Sequence, residues 1–385
     1  MADNLVEYFA ARQGEIVALL RQLVEIESPS GDKAALNRLG EFIGERLRDV
    51  GANVEAVRQT RIGDHLVATF GSGNAAPIVT LCHMDTVWPV GTLATMPWWE
   101  EDANPAELFG GRLRGPGVYD MKASTAMLIM VLRYLRATRT QLSHPLRMLF
   151  TTDEETGSET SRALIEAEAK KAALVLCLEP ALSNGALKTF RKGTGNFTIT
   201  AFGRAAHAGA DHTKGVNAIE EIARQITALH QMTNYAVGTT VNVGMVWGGT
   251  ASNVVPDRAQ VKVDLRVATA AESERIVKAI QSLRPQLPEA RLEIVGGLNR
   301  PPMERTPQIV AAFERARAIA AEIGLELREG STGGASDANF AAPLGVPVLD
   351  GLGAVGNGGH SVDEHVIASS LPERTALLAA IVTRW

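Results

Sequence analysis

The sequence predicts an α/β protein whose mostly parallel central sheet is interrupted by an α+β insert. The chain has 385 residues, which is long for one hydrophobic core and favours two domains. Up to Leu178, apolar strand-like runs alternate with segments of helical periodicity, as in a parallel α/β sheet. Beyond Lys188 the runs alternate polar and apolar residues, and the α/β pattern returns after Pro301.

Helical spacing of apolar residues predicts helices over 5–26 and 34–50, each ended by a glycine-containing turn. The run at 77–81 is apolar throughout, as a strand covered on both faces is. The first part of the chain is expected to contain strands at 65–70, 77–81, 146–150 and 173–178, and further helices at 124–135 and 161–170.

The insert is expected to form a half-exposed sheet accompanied by helices. Its predicted strands are 196–202, 240–246 and 260–267, and its predicted helices are 216–231 and 271–283. The returning α/β segment should contain a helix at 308–323, a strand at 346–349 and a final helix from Pro372. The insert then spans 190–299 and divides a discontinuous domain formed by 1–189 and 300–385.

Composition excludes several classes of function. The net charge of −5 provides no basic stripe for nucleic acid and no polybasic segment for a membrane, so we expect neither partner. Cys82 and Cys177 lie inside apolar runs and should be buried free thiols. The N-terminus lacks a secretion-signal pattern and no apolar run reaches about 18 residues. We expect a cytoplasmic location, although a chain from which a signal had been removed would look the same.

Three consecutive acids, Asp153, Glu154 and Glu155, directly follow the apolar run 146–150. Acids at the end of a buried strand concentrate negative charge, which destabilises the fold unless a cation or hydrogen-bond donors offset it. Taken alone, the cluster is better explained as the solvated first turn of a helix. Other potential ligands at the ends of apolar runs favour a cation instead.

Five more polar side chains occupy similar positions. His83 and Asp85 form an H-x-D pair after the strand at 77–81, and in extended chain both lie on one face, so Asp85 can orient a metal-binding His83. Asp120 precedes a predicted helix, Glu179 ends a buried strand, and His360 lies in a glycine-rich loop. Each alone has a structural explanation: a core His–Asp pair, a helix cap, a paired buried acid and a surface loop.

Together these residues predict a metal site. In open α/β sheets, sites form beyond the carboxyl ends of the strands, where these ligands would converge. Two imidazoles and several carboxylates without a thiolate suit two divalent ions, zinc above all, with manganese or cobalt as alternatives. Two such ions lie roughly 3.5 to 4 Å apart and need a bridging carboxylate. A remaining glutamate can then act as general base.

Five motifs carry a family resemblance over nearly the whole chain: His83-Met84-Asp85-Thr86-Val87, Gly115-Pro116-Gly117-Val118-Tyr119-Asp120-Met121-Lys122, Thr152-Asp153-Glu154-Glu155-Thr156-Gly157-Ser158, Leu178-Glu179-Pro180 and Gly359-His360-Ser361. In this order they resemble the dimetal (zinc) metallopeptidase family of carboxypeptidase G, glutamate carboxypeptidase, aminoacylase, acetylornithine deacetylase and succinyl-diaminopimelate desuccinylase. The resemblance implies a dimetal catalytic domain, 1–189 with 300–385, and an inserted dimerisation domain, 190–299.

The resemblance also implies a role for each ligand. It assigns five metal ligands: Asp120 as the bridge, His83 and Glu179 on one ion, and Glu155 and His360 on the other. Glu154 would be the general base; it and Glu155 point in opposite directions in an extended segment, so spacing leaves their assignment open and the resemblance decides it. The family often has a cis peptide bond after the bridging aspartate, here between Asp120 and Met121.

The insert and the last segment contain the candidate substrate contacts. His207, in Gly203-Arg204-Ala205-Ala206-His207-Ala208-Gly209, resembles the histidine that reaches the partner subunit's site and stabilises the oxyanion, which implies a homodimer. Asn253 and Arg266 resemble the residues that hold the substrate carbonyl and carboxylate, although a lone strand arginine is more often a surface charge. Arg300 is a second basic candidate, or an ordinary loop arginine, and Gly334 is expected to line the substrate site.

Segments 191–195, 299–303 and 332–338 are most similar to the carboxypeptidase G branch. That branch implies hydrolysis that releases a C-terminal amino acid, glutamate or a related one, from an N-acyl or short peptidyl substrate. Met121 is also typical of deacetylases and desuccinylases, so an N-acyl amino acid amidohydrolase is the alternative. A non-catalytic binding protein on the same fold is a remote alternative, disfavoured because the ligand set is complete.

Overall fold

The structure is a computed structural model that describes residues 5–101 and 111–385. The chain divides into two compact units. The first combines Met1–Phe190 with Arg305–Ser331 and Ser336–Trp385, and the second combines Arg191–Glu304 with Thr332–Ala335. The second unit therefore also takes in residues 300–304 and 332–335, which were expected in the discontinuous domain, and Phe190 lies in the first unit rather than in the insert.

The elements follow in chain order. Up to the insert they are α1 (Leu5–Ala10), α2 (Gln13–Val24), α3 (Lys33–Asp49), β1 (Asn53–Val57), β2 (His65–Phe70), β3 (Ile78–His83), β4 (Trp99–Glu101), β5 (Arg112–Arg114), α4 (Ala123–Thr138), β6 (Leu146–Thr151), α5 (Arg162–Ala169), β7 (Leu174–Cys177) and β8 (Leu187–Arg191). The insert contains β9 (Gly193–Phe202), β10 (Ala206–His207), α6 (Ala218–His230), β11 (Thr240–Gly248), β12 (Val254–Val255), β13 (Arg258–Val267), α7 (Ala270–Gln281) and β14 (Arg291–Arg300). The last segment contains α8 (Pro307–Glu322), β15 (Glu329–Thr332), α9 (Ala338–Ala341), β16 (Val348–Asp350), β17 (Gly356–Asn357), β18 (His365–Ile367) and α10 (Ser370–Arg384).

The first unit is built on an eight-stranded sheet in the order β1-β2-β6-β3-β7-β16-β8-β15. The four central strands β6, β3, β7 and β16 are parallel, and β1, β2 and β8 pair antiparallel to their neighbours on the flanks. Strands β3 and β7 are buried along their whole length, as the continuous apolar runs predict. The predicted α/β fold with a mostly parallel central sheet is confirmed.

Helix boundaries follow local sequence. Helix α3 begins after Asp32, whose carboxylate accepts the Ala35 N–H at 2.9 Å, and α8 begins with a Thr306 cap followed by Pro307 at its first position. The single helix predicted over 5–26 is instead two helices, because Arg12 adopts non-helical angles at the start of α2. Gly14 in the next turn has low helix propensity, which weakens a continuous helix here.

Ten of the eighteen strands among the described residues were not predicted from the sequence, and most of them are short; β1 and β14 show the physical reasons. Strand β1 is a largely exposed edge strand, so it lacks the apolar run by which a strand is recognised. Strand β14 begins with charged residues and contains Gly296 and Gly297, which are unusual inside strands. Both strands are defined by their pairing partners rather than by their own sequence.

The second unit contains a four-stranded antiparallel sheet in the order β11-β13-β9-β14. Apolar residues from one side of these strands pack with α6 and α7, and Phe197, Ile222 and Ile276 are buried in this core. Strands β11 and β14 are the two edges of the sheet. The insert therefore has its own core and exposes two sheet edges.

A small antiparallel sheet in the first unit has the order β17-β18-β5-β4. Strand β18 pairs with β17 on one side and with β5 on the other, with His365 opposite Asn357 and Arg114. This sheet joins the glycine-rich loop of His360 to the segment that leads to Asp120. Cys82 and Cys177 are buried and free, as predicted.

Among the helices that the structure describes, none combines the length and apolarity needed to cross a membrane.

Candidate metal centre

The predicted metal ligands of the first unit meet at the carboxyl edge of the central sheet. His83 is the last residue of β3, the acid cluster follows β6, and Glu179 lies two residues beyond β7. Strands β6, β3 and β7 are adjacent and parallel, so their carboxyl ends share one edge. The fold thus brings residues that are distant in sequence to one place.

Two histidines face the two oxygens of the same carboxylate. His83 Nε2 lies 3.0 Å from Asp120 Oδ1 and 3.6 Å from Glu179 Oε1. His360 Nε2 lies 3.0 Å from Glu155 Oε2 and 3.6 Å from Asp120 Oδ2. The ligands therefore form two groups that share Asp120, the arrangement that a bridging carboxylate requires.

Asp120 is presented by a tight loop before α4. Gly117 has φ +73°, and a Cβ there would lie 2.5 Å from Thr86 Cγ2, so the loop needs glycine at this position. The Asp120–Met121 peptide bond is cis, as the family resemblance implied. Lys122 Nζ donates to the Ile26 carbonyl at 2.9 Å, and burial lowers the pKa of this amine to about 7. The loop is thus held by close backbone approach and by a buried lysine.

Asp85 links His83 to the acid cluster. His83 Nδ1 lies 2.9 Å from the Asp85 backbone carbonyl oxygen and 3.5 Å from Asp85 Oδ1. When Nδ1 donates its hydrogen to that carbonyl, the Nε2 lone pair is left for a metal. The Asp85 carboxylate also accepts the N–H groups of Glu154 at 3.2 Å and Glu155 at 3.1 Å. Ser30 Oγ donates to it at 2.7 Å. Asp85 therefore orients the backbone of the acids as well as the ring.

The charges at this edge favour a cation. Burial opposes a charge on His83, but hydrogen bonds to Asp120, Asp85 and Glu179 prevail and raise its pKa well above the usual value. Hydrogen bonds to Asp120 and Glu155 raise the pKa of His360 to about 10. Burial favours neutral Asp120, yet its hydrogen bonds to the two histidines lower its pKa. Positive charge is therefore stabilised at both Nε2 positions.

The donor set fits a divalent cation. One donor atom each from His83, Asp120 and Glu155 lies within 4.8 Å of the others. Glu155 Oε1 is buried and has no hydrogen-bond partner among residues 5–101 and 111–385, and burial raises the pKa of this carboxyl. Imidazole nitrogen and carboxylate oxygen are ligands that zinc and manganese accept. A candidate metal site is present in this chain.

Asp153 has a different environment from its two neighbours. Its Oδ2 accepts the Thr160 N–H at 2.7 Å, the Thr160 hydroxyl at 2.8 Å and the Ser161 N–H at 3.3 Å. These contacts fix the turn that leads into α5. Glu154 and Glu155 begin a short 3-10 turn, and both are half-buried. The solvated first turn of a helix is therefore not what this cluster forms.

The second unit brings His207 and Asn253 together. His207 on β10 pairs with Val254 on β12, and the Ala208 N–H donates to the Asn253 carbonyl at 2.9 Å. His207 Nδ1 accepts the N–H groups of Gly209 and Ala210, each at 3.1 Å. A neutral ring with Nδ1 as acceptor carries its hydrogen on Nε2. His207 is exposed, so this N–H is available as a donor.

The remaining predicted substrate contacts also lie in the second unit. Arg266 makes a bidentate pair with Asp264, with Nε–Oδ1 at 2.9 Å and Nη2–Oδ2 at 3.0 Å. Arg300 is buried at the end of β14, so the expectation of an ordinary loop arginine is wrong. Gly334 is exposed, and its carbonyl accepts Arg191 Nη1 at 3.3 Å. These residues are thus more constrained than isolated surface side chains.

Two polar residues that support this centre, Ser30 and Glu364, were not predicted from the sequence. Ser30 lies in the turn Ser28-Pro29-Ser30-Gly31, where serine is common for local reasons. Glu364 follows His360 by four residues, and this proximity was its only signal. Ser30 donates to the Asp85 carboxylate and Glu364 accepts backbone N–H groups of the Asp120 loop, and periodicity cannot reveal contacts over such distances in sequence.

The sequence profile described as "Peptidase family M20/M25/M40" matches residues 79–384. The chain belongs to this family of metallopeptidases and is a hydrolytic enzyme. The family predicted from the five motifs is therefore confirmed.

Two curated relatives match over most of their lengths. Carboxypeptidase G2 of Pseudomonas sp. (strain RS-16) is 30% identical over 388 residues, which cover 99% of this chain and 92% of the relative. Succinyl-diaminopimelate desuccinylase of Dechloromonas aromatica (strain RCB) is 28% identical over 359 residues, which cover 89% of this chain and 92% of the relative.

Solved structures show the same fold. Aminopeptidase PepT from Bacillus cereus ATCC 10987 has a TM-score of 0.78 at 22% identity, and the match covers 96% of this chain and 98% of that one. The Bacillus subtilis YXEP protein, described as a dinuclear metal binding peptidase from the M20 family, has a TM-score of 0.69 at 16% identity, with 97% and 98% coverage.

Replacing Asp153 with alanine should lower stability without removing the metal. The variant loses three hydrogen bonds to a buried carboxylate, which we expect to reduce the free energy of unfolding by about 2 kcal/mol. Denaturant unfolding and metal analysis of the folded protein measure the two effects. Glu159→Ala, an exposed acid in the same loop, is the matched control and should change neither. Loss of metal from folded D153A would contradict this assignment.

Proposed function

We propose that this enzyme hydrolyses an amide bond to release a C-terminal amino acid, glutamate or a related one, from an N-acyl or short peptidyl substrate. The proposal includes two divalent ions per chain, zinc above all, with manganese or cobalt as alternatives. It also includes a homodimer and a cytoplasmic location, with which the two buried free cysteines are consistent.

The observation that carries the dimetal proposal is the position of Asp120 between two histidines, at 3.0 Å from His83 and 3.6 Å from His360. Asp120 would bridge both ions. His83 and Glu179 would complete one coordination sphere, and Glu155 and His360 the other. The ions would supply Lewis-acid polarisation of the scissile carbonyl and make water acidic enough to attack at neutral pH.

Glu154 is the proposed general base. It begins the turn that also presents Glu155, and the Asp85 carboxylate anchors its backbone N–H. It takes one proton from the attacking water, whose oxygen bonds to the scissile carbonyl carbon, and the second proton leaves the new carboxylic acid to solvent. The amide C–N bond breaks, and Glu154 passes the first proton to the leaving amine. Asp85 contributes by fixing this residue and the His83 ring.

His207 is proposed to stabilise the oxyanion in the partner subunit's site. Its exposed Nε2–H can donate to the carbonyl oxygen as negative charge develops there. Asn253, which lies on the neighbouring strand segment, is proposed to hold the same substrate carbonyl. The backbone hydrogen bonds that fix the ring of His207 keep its donor preorganised.

The glutamate preference rests on the relative named carboxypeptidase G2 and on two arginines. Arg300 is buried, so a carboxylate that reaches it gains a strong, poorly screened interaction. Arg266 is proposed to hold the substrate's α-carboxylate. It already pairs with Asp264, so substrate would have to share or replace that partner. Gly334 is proposed to line the substrate site, where the absence of a side chain leaves room.

An N-acyl amino acid amidohydrolase is the second candidate. The relative named succinyl-diaminopimelate desuccinylase and Met121 after the bridging aspartate favour it. The two candidates differ in which side of the amide bond is recognised. A binding protein without catalysis is excluded by the family to which the chain belongs.

The proposed dimer contact is edge strand β11. Its consecutive residues Met245, Val246 and Trp247 are 51%, 59% and 44% exposed. An exposed apolar edge strand is a template for pairing with a second chain. The opposite edge, β14, presents Val295 between charged residues and two glycines, which suits solvent better.

Glu154→Gln should keep both ions and lose turnover. The amide cannot accept the proton from water, so we expect kcat to fall about a hundredfold or more. Metal analysis and steady-state kinetics on the same preparation separate the two effects. Glu159→Gln removes the same charge from the same loop and serves as the control. A near-normal kcat in E154Q would show that Glu154 is not the general base.

Glutamate at the released position should be preferred over glutamine by about tenfold or more in kcat/KM, since a guanidinium binds a charged carboxylate more strongly than a neutral amide. A panel of substrates with one acyl group and varied C-terminal residues measures this ratio. Arg300→Gln should lower the ratio of kcat/KM for glutamate to that for glutamine. Arg291 is an exposed arginine at the other end of β14, and Arg291→Gln should leave this ratio unchanged. Discrimination between acyl groups with indifference to the amino acid would support the amidohydrolase instead.

Mixing inactive His207→Ala with inactive Glu154→Gln should restore about a quarter of wild-type activity if the histidine acts across a dimer. About half of the exchanged dimers are mixed, and each mixed dimer holds one intact site. Activity should not recover when both variants also carry Val246→Lys on β11. It should recover when both carry Val295→Lys on the opposite edge. No recovery under conditions of proven subunit exchange would rule out action in trans.

A further inference from the structure

Glu364 is a buried carboxylate with four hydrogen-bond donors around it. Its exposed fraction is 0%. Oε1 accepts the N–H groups of Tyr119 at 2.9 Å and Asp120 at 3.1 Å. Oε2 accepts the Gly117 N–H at 3.0 Å and the Trp88 indole N–H at 2.8 Å. Three of the four donors thus belong to the backbone of the loop that presents Asp120.

The same residue belongs to the segment that presents His360. The Glu364 N–H donates to the Ser361 carbonyl at 2.9 Å, which closes the turn after His360. Strand β18 starts at the next residue and pairs with β5, the strand that leads into the Asp120 loop. Glu364 therefore connects the two segments through both its backbone and its side chain.

The two segments also approach each other closely at glycines. A Cβ at Gly356 would lie 2.8 Å from Tyr119 Cδ2, and a Cβ at Gly359 would lie 3.8 Å from Asp120 Oδ2. A side chain at Gly356 would clash with Tyr119, whereas one at Gly359 would make ordinary van der Waals contact, so the close approach of the two loops depends on Gly356. The Glu364 carboxylate then connects the His360 loop to the Asp120 loop by hydrogen bonds.

Asp85 provides a comparison on the opposite side of the centre. It is another buried carboxylate, and it accepts the backbone N–H groups of Glu154 and Glu155 while contacting His83. Glu364 binds the backbone of the Asp120 loop and lies in the segment of His360. Asp85 binds the backbone of Glu154 and Glu155 and lies beside His83. Charge-assisted bonds to backbone N–H groups are stronger than neutral ones, so they define position well.

We propose that Glu364 is a positioning residue that sets the separation of Asp120 and His360 and thereby the metal affinity of the centre. The inference rests on the proposed metal-binding role of these two residues. Glu364 does not coordinate an ion itself, since both of its oxygens are directed at backbone and indole donors. Removing its hydrogen bonds would deprive three backbone N–H groups and one indole N–H of this acceptor and let the Asp120 carboxylate move relative to His360.

The zinc affinity of the 385-residue chain tests the proposal. Glu364→Gln keeps the size of the side chain but turns an NH₂ group toward one of the two donor pairs. Partners of this kind typically contribute about 10- to 100-fold to metal affinity, so we expect zinc to bind at least about tenfold more weakly to one of the two positions. Competition with a chromogenic chelator, starting from metal-stripped protein with native circular dichroism, measures this change.

Two further variants separate positioning from charge and from folding. Asp363→Asn removes one negative charge from the adjacent, exposed residue and should bind zinc as wild type does. Glu364→Asp keeps both carboxylate oxygens and should restore part of the affinity that E364Q loses. We also expect E364Q to lower kcat more than it raises KM, because the substrate contacts proposed above remain in place.

Several outcomes would overturn the inference. Wild-type zinc affinity in folded E364Q would remove Glu364 from the centre and leave it a purely structural role. Equal weakening in D363N would show an effect of net charge instead of position. Wild-type protein that binds no divalent ion would overturn both this inference and the proposed function, whereas normal wild-type binding with unchanged E364Q overturns this inference alone.

Discussion

Crowding of carboxylates at the carboxyl edge of the central sheet is the constraint on which the site depends. Asp120 and Glu155 approach the same imidazole, His360, and Glu179 approaches His83 beside Asp120. Such a group is unstable in a partly buried place unless positive charge compensates it. Hydrogen bonds to these carboxylates raise the pKa of both histidines, because positive charge is favoured beside the acids.

Two other carboxylates, Asp85 and Glu364, hold in place the segments that carry these residues. Asp85 and Glu364 are fully buried, and each accepts two or more backbone N–H groups from a segment that presents a ligand. Burial raises the pKa of Glu364, while its hydrogen bonds to Asp120, Gly117, Trp88 and Tyr119 oppose the rise. Some carboxylates here therefore favour a nearby cation, whereas Asp85 and Glu364 bind backbone N–H groups.

The sequence predicts the carboxylates that face the histidines, but it does not predict that Glu364 binds the backbone of the Asp120 loop. Glu155 and Glu179 are recognisable because each follows an apolar strand, and parallel strands bring such ends together. Glu364 lies 247 residues from the Gly117 amide that it binds, and nothing local marks that distance. Strand β1 was missed for a related reason, since an exposed edge strand is defined by its partner β2 rather than by an apolar run.

The three consecutive acids show why adjacent residues of the same chemistry separate into different environments. Asp153 precedes the 3-10 turn and points its carboxylate to Thr160, whereas Glu155 within the turn faces His360. A 3-10 turn rotates successive side chains by about 120°, so neighbours face different partners. From charge alone the cluster is one concentration of negative charge that a cation or hydrogen-bond donors can offset, and only the family resemblance assigns Glu154 and Glu155 different roles. In the structure the backbone turn divides that charge, so that hydrogen-bond donors compensate the first acid and only the acids that follow it remain available to a metal and its reaction.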